Sequence, residues 1–140
     1  MNLQNDRTRF LRRALLADGV VSGLSGLLLA AAPGVIAALV GTSPAIVATV
    51  GVSLLIYGVL LVRNARRETP RRAEAAAAVA LNVAWLLASV AVVLAGVLTR
   101  EGNWAVILVG DVVLVFTALE VVGLRKLHGE SVTGASRQPA

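Results

Sequence analysis

The sequence predicts an all-α polytopic membrane protein, with four transmembrane helices arranged as two antiparallel hairpins. Two observations carry that expectation: four apolar runs long enough to cross a bilayer, and basic residues gathered in clusters at the ends of those runs. Apolar residues make up 57 % of the chain and charged residues 15 %, with a mean hydropathy of +0.81. A soluble chain of 140 residues cannot bury that much apolar surface, whereas lipid tails accept it. The length fits one domain, expected over residues 1–128, followed by a mobile polar tail at 129–140.

A spanning helix needs about 20 mostly apolar residues. Helices are expected at about 10–31, 44–63, 71–99 and 103–126. Backbone groups must be satisfied inside the bilayer, so these runs are helical. That requirement overrides the strand propensity of the valine-rich stretch from Val106 to Val115. Pro33-Gly34 ends the first span, because proline lacks an N–H and clashes with the preceding turn. Residues 34–40 then form a short outer interfacial segment, with Gly41 as its C-terminal stop. Ser43-Pro44 reads as N-cap and first helical residue, and Thr69-Pro70 repeats that signal before the third span.

The arginines set an orientation. Arg7, Arg9, Arg12 and Arg13 precede the first run. Arg63, Arg66, Arg67, Arg71 and Arg72 join the second to the third, and Arg125, Lys126 and Arg137 follow the fourth. Positive residues in short loops stay cytoplasmic, so both termini are expected inside. The outer connections, near Gly41–Ser43 and Arg100–Asn103, carry little charge, and Trp104 suits an interface. A rival reading takes the N-terminus as a signal peptide ending near Ala30-Ala31-Ala32, with Arg12-Arg13 hinting at a twin-arginine signal. Asp18 and the glycines inside the run make a poor signal core, so a retained first helix is expected.

Several functions are disfavoured. The net charge of +5 flanks apolar runs instead of forming a stripe, so no nucleic-acid partner is expected. There is no cysteine, and the single histidine, His128, lies in the tail, so no metal centre or cofactor is expected. The chain has no GxSxG, HExxH or Walker loop. No nucleophile–base set is apparent, and no catalytic residue is assigned. Gly19, Gly23 and Gly26 read as helix-packing positions within a span, with Gly19 and Gly23 forming a GxxxG.

Polar residues inside spans are costly, about 2.5–3.5 kcal/mol for a charge at a helix centre. They are therefore the candidate sites: Asp111, Asn82, Trp85, Asp18, Glu120 and Tyr57. At about 1.5 Å per residue, Asp18, Tyr57 and Glu120 share a level roughly 8–9 Å inside the arginine boundary, with Asn82 at roughly 15 Å and Asp111 at roughly 21 Å. The set reads as a polar ladder. Asp18, Ser22 and Ser25 share one helix face, and Asn82, Trp85 and Ser89 share another. The same seven-residue spacing from Asp18 to Ser25 and from Asn82 to Ser89 hints at a faint duplication, for which coincidence is the simpler account. Asp111 and Glu120 are nine residues apart and so face roughly opposite ways. If Asp111 faces the interior, it bonds Asn82 or Ser89, and Glu120 faces another helix, a second protomer or the headgroups. Asp18 and Glu120 are also placed to pair with Arg12, Arg13 or Arg63.

The stretches LLADGVVSGLSGLLL (15–29), GVSLLIYG (51–58), LNVAWLLAS (81–89) and ALEVVGLRK (118–126) resemble a family of small bacterial four-helix integral membrane proteins. The most distinctive parts are Asn82-x-x-Trp85-x-x-x-Ser89 and Glu120-x-x-Gly123-Leu124-Arg125. The family's members are uncharacterised, so the resemblance implies architecture and a bacterial inner-membrane location, not an activity. Asp111 is not one of its shared positions. The layout around Gly41 and Pro44 is also similar to DoxX-like proteins. The functional expectation is a non-enzymatic membrane protein acting by association in the bilayer, as a homo-oligomer or within a larger membrane complex, through the Gly19/Gly23 face or the side bearing Glu120. The alternative is a small dimeric transporter or proton- or ion-conducting protein using Asp111, Asn82 and Asp18.

Overall fold

The computed structural model describes the backbone of residues 3–135 and the side chains of residues 6 and 8–126. Five helices follow one another: α1 (Leu3–Ala31), α2 (Pro33–Val40), α3 (Pro44–Ala65), α4 (Arg72–Ala95) and α5 (Arg100–Ala135). No strand occurs among the described residues. α1, α3, α4 and α5 each contain a segment long and apolar enough to cross a membrane. Their outward surfaces carry Leu24, Leu28, Leu87, Leu94 and Leu108. This apolar exterior is what a bundle surrounded by lipid presents. The two hairpins, α1–α3 and α4–α5, are those expected from the sequence.

Local chemistry explains most boundaries. Pro33 opens α2, and Gly41 closes it in the left-handed conformation (φ 78°) with its N–H donating to the Ala37 carbonyl. Ser43 caps α3, its hydroxyl accepting from the Ile46 N–H at 3.3 Å. Three boundaries differ from those expected. Thr69-Pro70 does not start the third span: Asn64 grips the Arg71 backbone, accepting from its N–H at 2.8 Å and donating to its carbonyl at 3.3 Å. α4 therefore begins at Arg72. That helix also ends at Ala95, short of residue 99, because Gly96 adopts the left-handed conformation. The α4–α5 connection is thus residues 96–99, and α5 begins at Arg100 with the Thr99 hydroxyl accepting from the Gly102 N–H at 3.0 Å. Thirdly, the tail expected to be mobile from residue 129 is helical to Ala135, and residues 136–140 lie outside those described.

α1 packs most extensively on α3, and α5 lies against both α1 and α4. α3 and α4 touch at few positions, so the bundle is most open along that seam. The α1–α3 approach is set by paired glycines. A Cβ at Gly26 would sit 2.6 Å from the Gly51 carbonyl oxygen, and one at Gly58 would sit 2.6 Å from that of Gly19. At the arginine-rich end, Leu11, Leu15, Leu61, Ala65, Ala75 and Ala78 form a close-packed apolar core. The Arg12 Nε donates to the Ala65 carbonyl at 2.9 Å, satisfying one of the last acceptors of α3. At the other end, Thr99 ties α5 to α2, its N–H donating to the Val40 carbonyl at 3.1 Å and its hydroxyl to that of Leu39 at 2.7 Å.

Truncating Asn64 to alanine removes both bonds to Arg71, leaving the Arg71 N–H without this partner while its carbonyl keeps the Ala75 N–H. The expected loss is about 1–3 kcal/mol, read as a lower unfolding midpoint in lipid nanodiscs and faster proteolysis of the 66–71 loop. An unchanged midpoint contradicts the anchoring role.

Candidate functional site

Each of the four spans contributes one polar side chain to a single cluster. Asp18 from α1, Asn82 from α4 and Glu120 from α5 are buried, and Tyr57 from α3 is half-buried. Asp18 Oδ1 accepts from the Ser22 hydroxyl at 2.9 Å, and Oδ2 lies 3.2 Å from the Tyr57 hydroxyl. Asn82 is the hub. Its Nδ2 donates to Asp18 Oδ2 at 3.3 Å and to Glu120 Oε2 at 3.4 Å, while its Oδ1 accepts from the Tyr57 hydroxyl at 2.9 Å. The phenol has one proton and serves one of its two oxygen neighbours at a time. Glu120 is wholly buried, and its Oε1 has no partner.

Asn82 therefore does not sit a rung above the other three, as residue counting implied. Side chains lean toward the N-terminus of their own helix. α3 and α5 run toward the arginine-rich end, so Tyr57 and Glu120 lean away from it. α1 and α4 run the other way, so Asp18 and Asn82 lean back toward it.

The cluster divides the bundle in two. On its arginine side lies the apolar core, against which Tyr57 and Leu124 also pack. On its other side lies a cavity of about 490 Å3. Asp18, Tyr57 and Asn82 form its polar floor, and Ser22, Ser25 and Ser53 add hydroxyls. Trp85 and Phe116, with leucines and valines from α5, make the walls. Val21, Ser25, Ser53 and Leu81 on those walls are exposed, so the cavity opens to its surroundings.

The sequence-derived candidates divide accordingly. Asp18, Tyr57, Asn82 and Trp85 come together at the cavity, with Glu120 behind Asn82. Asp111 does not. It is exposed, lines a shallower groove of about 240 Å3 with Ser89, and makes no hydrogen bond or ion pair among the described residues. Asp111 and Glu120 do face opposite ways, and Glu120 is the inward member. Nor do Asp18 and Glu120 pair with Arg12, Arg13 or Arg63. They accept instead from Ser22, Tyr57 and Asn82. Gly19 is buried against α3, where a Cβ would lie 3.0 Å from the Gly58 carbonyl oxygen, whereas a Cβ at Gly23 would meet nothing within 4 Å. The two faces expected to meet a partner, Gly19/Gly23 and Glu120, are thus used within the bundle. Sequence reasoning missed Gly51 and Gly58 as packing partners. They lie seven residues apart in α3, as Gly19 and Gly26 do in α1, and that matched spacing was the available signal.

The four spans, their apolar exterior and the buried polar cluster define a multi-pass helical membrane protein with an internal cavity. No family model, curated protein or solved structure matches this chain.

Proposed function

We propose that this chain is a non-catalytic carrier that binds a small amphipathic solute in the cavity above the Asp18–Tyr57–Asn82–Glu120 cluster. The observation that carries the reading is that cluster: two buried carboxyls, from different helices, joined by one amide at the floor of an otherwise apolar cavity. Ionisable groups at membrane depth are costly and mark solute or ion pathways. Pockets of this size, with apolar walls and a few convergent polar groups, are typical small-molecule sites. The apolar core seals the cavity from the arginine-rich end, which suits a carrier better than a continuous pore. The test is flux into proteoliposomes, with a panel of small cationic, neutral and anionic amphipathic solutes. Protein-dependent flux of at least one class is expected, and flux equal to that of protein-free liposomes for every class contradicts the reading.

The setting of this reading is the bacterial inner membrane, with the arginine-rich end and both termini in the cytoplasm, following the positive-inside rule and the family resemblance. The cysteine-free sequence makes this simple to check. In cells, Val97→Cys should react with a membrane-impermeant maleimide added outside, and Glu68→Cys only after lysis; the reverse pattern inverts the topology. An association role has one supporting observation. Asp111 lies exposed within the α5 span, where a carboxyl facing lipid is costly. A neighbouring helix or second copy covering the Ser89–Asp111 groove would relieve that cost.

A further inference from the structure

The chemistry of the cavity narrows the solute class, an inference that rests on the carrier reading above. We propose that the cavity binds a small apolar monocation: an organic ammonium on an aromatic or aliphatic body, with its charge set against Asp18 and its body against Trp85 and Phe116.

The inventory of the site points to a positive ligand. The groups packed around the floor are Asp18 from α1, Tyr57 from α3, Asn82 from α4 and Glu120 from α5. Two are acidic and none is basic. The hydrogen bonds to the carboxyls from Ser22, Tyr57 and Asn82 come from uncharged donors, and no arginine or lysine is among them. The Tyr57 proton is shared between two acceptors, and Glu120 Oε1 is a buried acceptor with no donor. With Asp18 ionised, the cavity floor offers a negative group and no positive partner. An ammonium brings up to three donors and the complementary charge. A neutral solute could bring donors alone, and an anion would set a negative charge against Asp18.

The walls fit the rest of such a molecule. Tyr57, Trp85 and Phe116 face the cavity from three different helices, and aromatic faces attract cations as well as apolar surface. The remaining lining is mainly leucine and valine, which favours an apolar body over a hydrated metal ion. The arginine clusters lie on the far side of the Leu11–Leu15–Leu61 core, so they neither neutralise Asp18 nor repel the ligand at short range. Asp18 makes the direct contact. Glu120, one amide behind it, holds Asn82 in place.

The test compares isosteric probes. The Trp104→Phe variant leaves Trp85 as the only tryptophan, in nanodiscs of zwitterionic lipid. Trp85 emission is followed while 4-phenylbutylammonium, 4-phenylbutanol and 4-phenylbutanoate are titrated separately. Saturable binding of the ammonium is expected, at least about tenfold tighter than the alcohol, with no saturable response to the carboxylate. Asp18→Asn, which keeps the shape, should weaken the ammonium about tenfold and leave the alcohol unchanged. Alcohol or carboxylate binding as tight as the ammonium overturns the cation assignment while leaving a solute cavity standing. No saturable response to any probe overturns the cavity reading as well. The wild-type ranking of the three probes needs no acidic-site variant, so poor folding of Asp18→Asn leaves the test intact.

Discussion

Replacing Gly58 with leucine drives α1 and α3 apart and destabilises the bundle by about 3 kcal/mol or more. The size of the effect follows from what the new side chain would meet. A Cβ at Gly58 would lie 2.6 Å from the Gly19 carbonyl oxygen and 2.7 Å from the Gly23 backbone nitrogen. Both are backbone atoms, so no rotamer change relieves the contact, and the helices themselves must separate. Tyr57 is the next residue along, so the cluster is disturbed as well. Without a hydrophobic drive between helices in lipid, such close packing supplies much of the association energy. Gly23→Ala is the matching control, since its Cβ meets nothing within 4 Å, and it should change stability by no more than about 0.5 kcal/mol. Denaturant or thermal unfolding in nanodiscs measures both. Equal effects at the two positions contradict the assigned α1–α3 contact.

Replacing Asn82 with leucine costs about 2–4 kcal/mol, although the two side chains are close in size. Single interhelical hydrogen bonds in membranes are worth about 0.6 kcal/mol on average and about 1.7 at most. Asn82 makes three, to three different helices. Its loss strips a donor from each of two buried carboxyls, and unmatched buried polar groups carry a further penalty. Leucine also raises the apolarity of the cavity floor, so binding of a polar or charged solute should fall with stability. An unfolding midpoint matching the wild type would mean that the cluster does not join the helices.

The spans, the hairpin pairing, the proline–glycine break after α1 and the Ser43 cap were all legible in the sequence, because each rests on a local rule. Apolar runs must be helical in lipid, proline stops a helix, and glycine adopts a left-handed conformation. What the sequence left hidden depended on tertiary contact. Asn64 moved the start of α4 by gripping Arg71, and no local pattern around Thr69-Pro70 reveals that grip. For the site, residue types and approximate depth were readable, and Asp18, Tyr57, Asn82 and Trp85 do meet. Helical phase separated Asp111 from Glu120 correctly, but phase alone does not say which side of α5 faces inward. Packing decides it: Glu120 and Gly123 share the inner face, and a Cβ at Gly123 would lie 3.0 Å from a Leu11 methyl carbon. The depth count also misplaced Asn82, because it took Arg72 as level with Arg13, whereas Ala75 and Ala78 of α4 share a core with Leu11 and Leu15 of α1.

As a carrier, the protein would work through the cavity cluster and not through the exposed Asp111 groove. Flux through proteoliposomes carrying Glu120→Gln, compared with those carrying Asp111→Asn, tests it most directly. Both changes remove an ionisable carboxyl and keep the shape. Glu120→Gln is expected to lower the rate by about tenfold or more, while Asp111→Asn stays within about twofold of wild type. A rate lost in Asp111→Asn and kept in Glu120→Gln would contradict it.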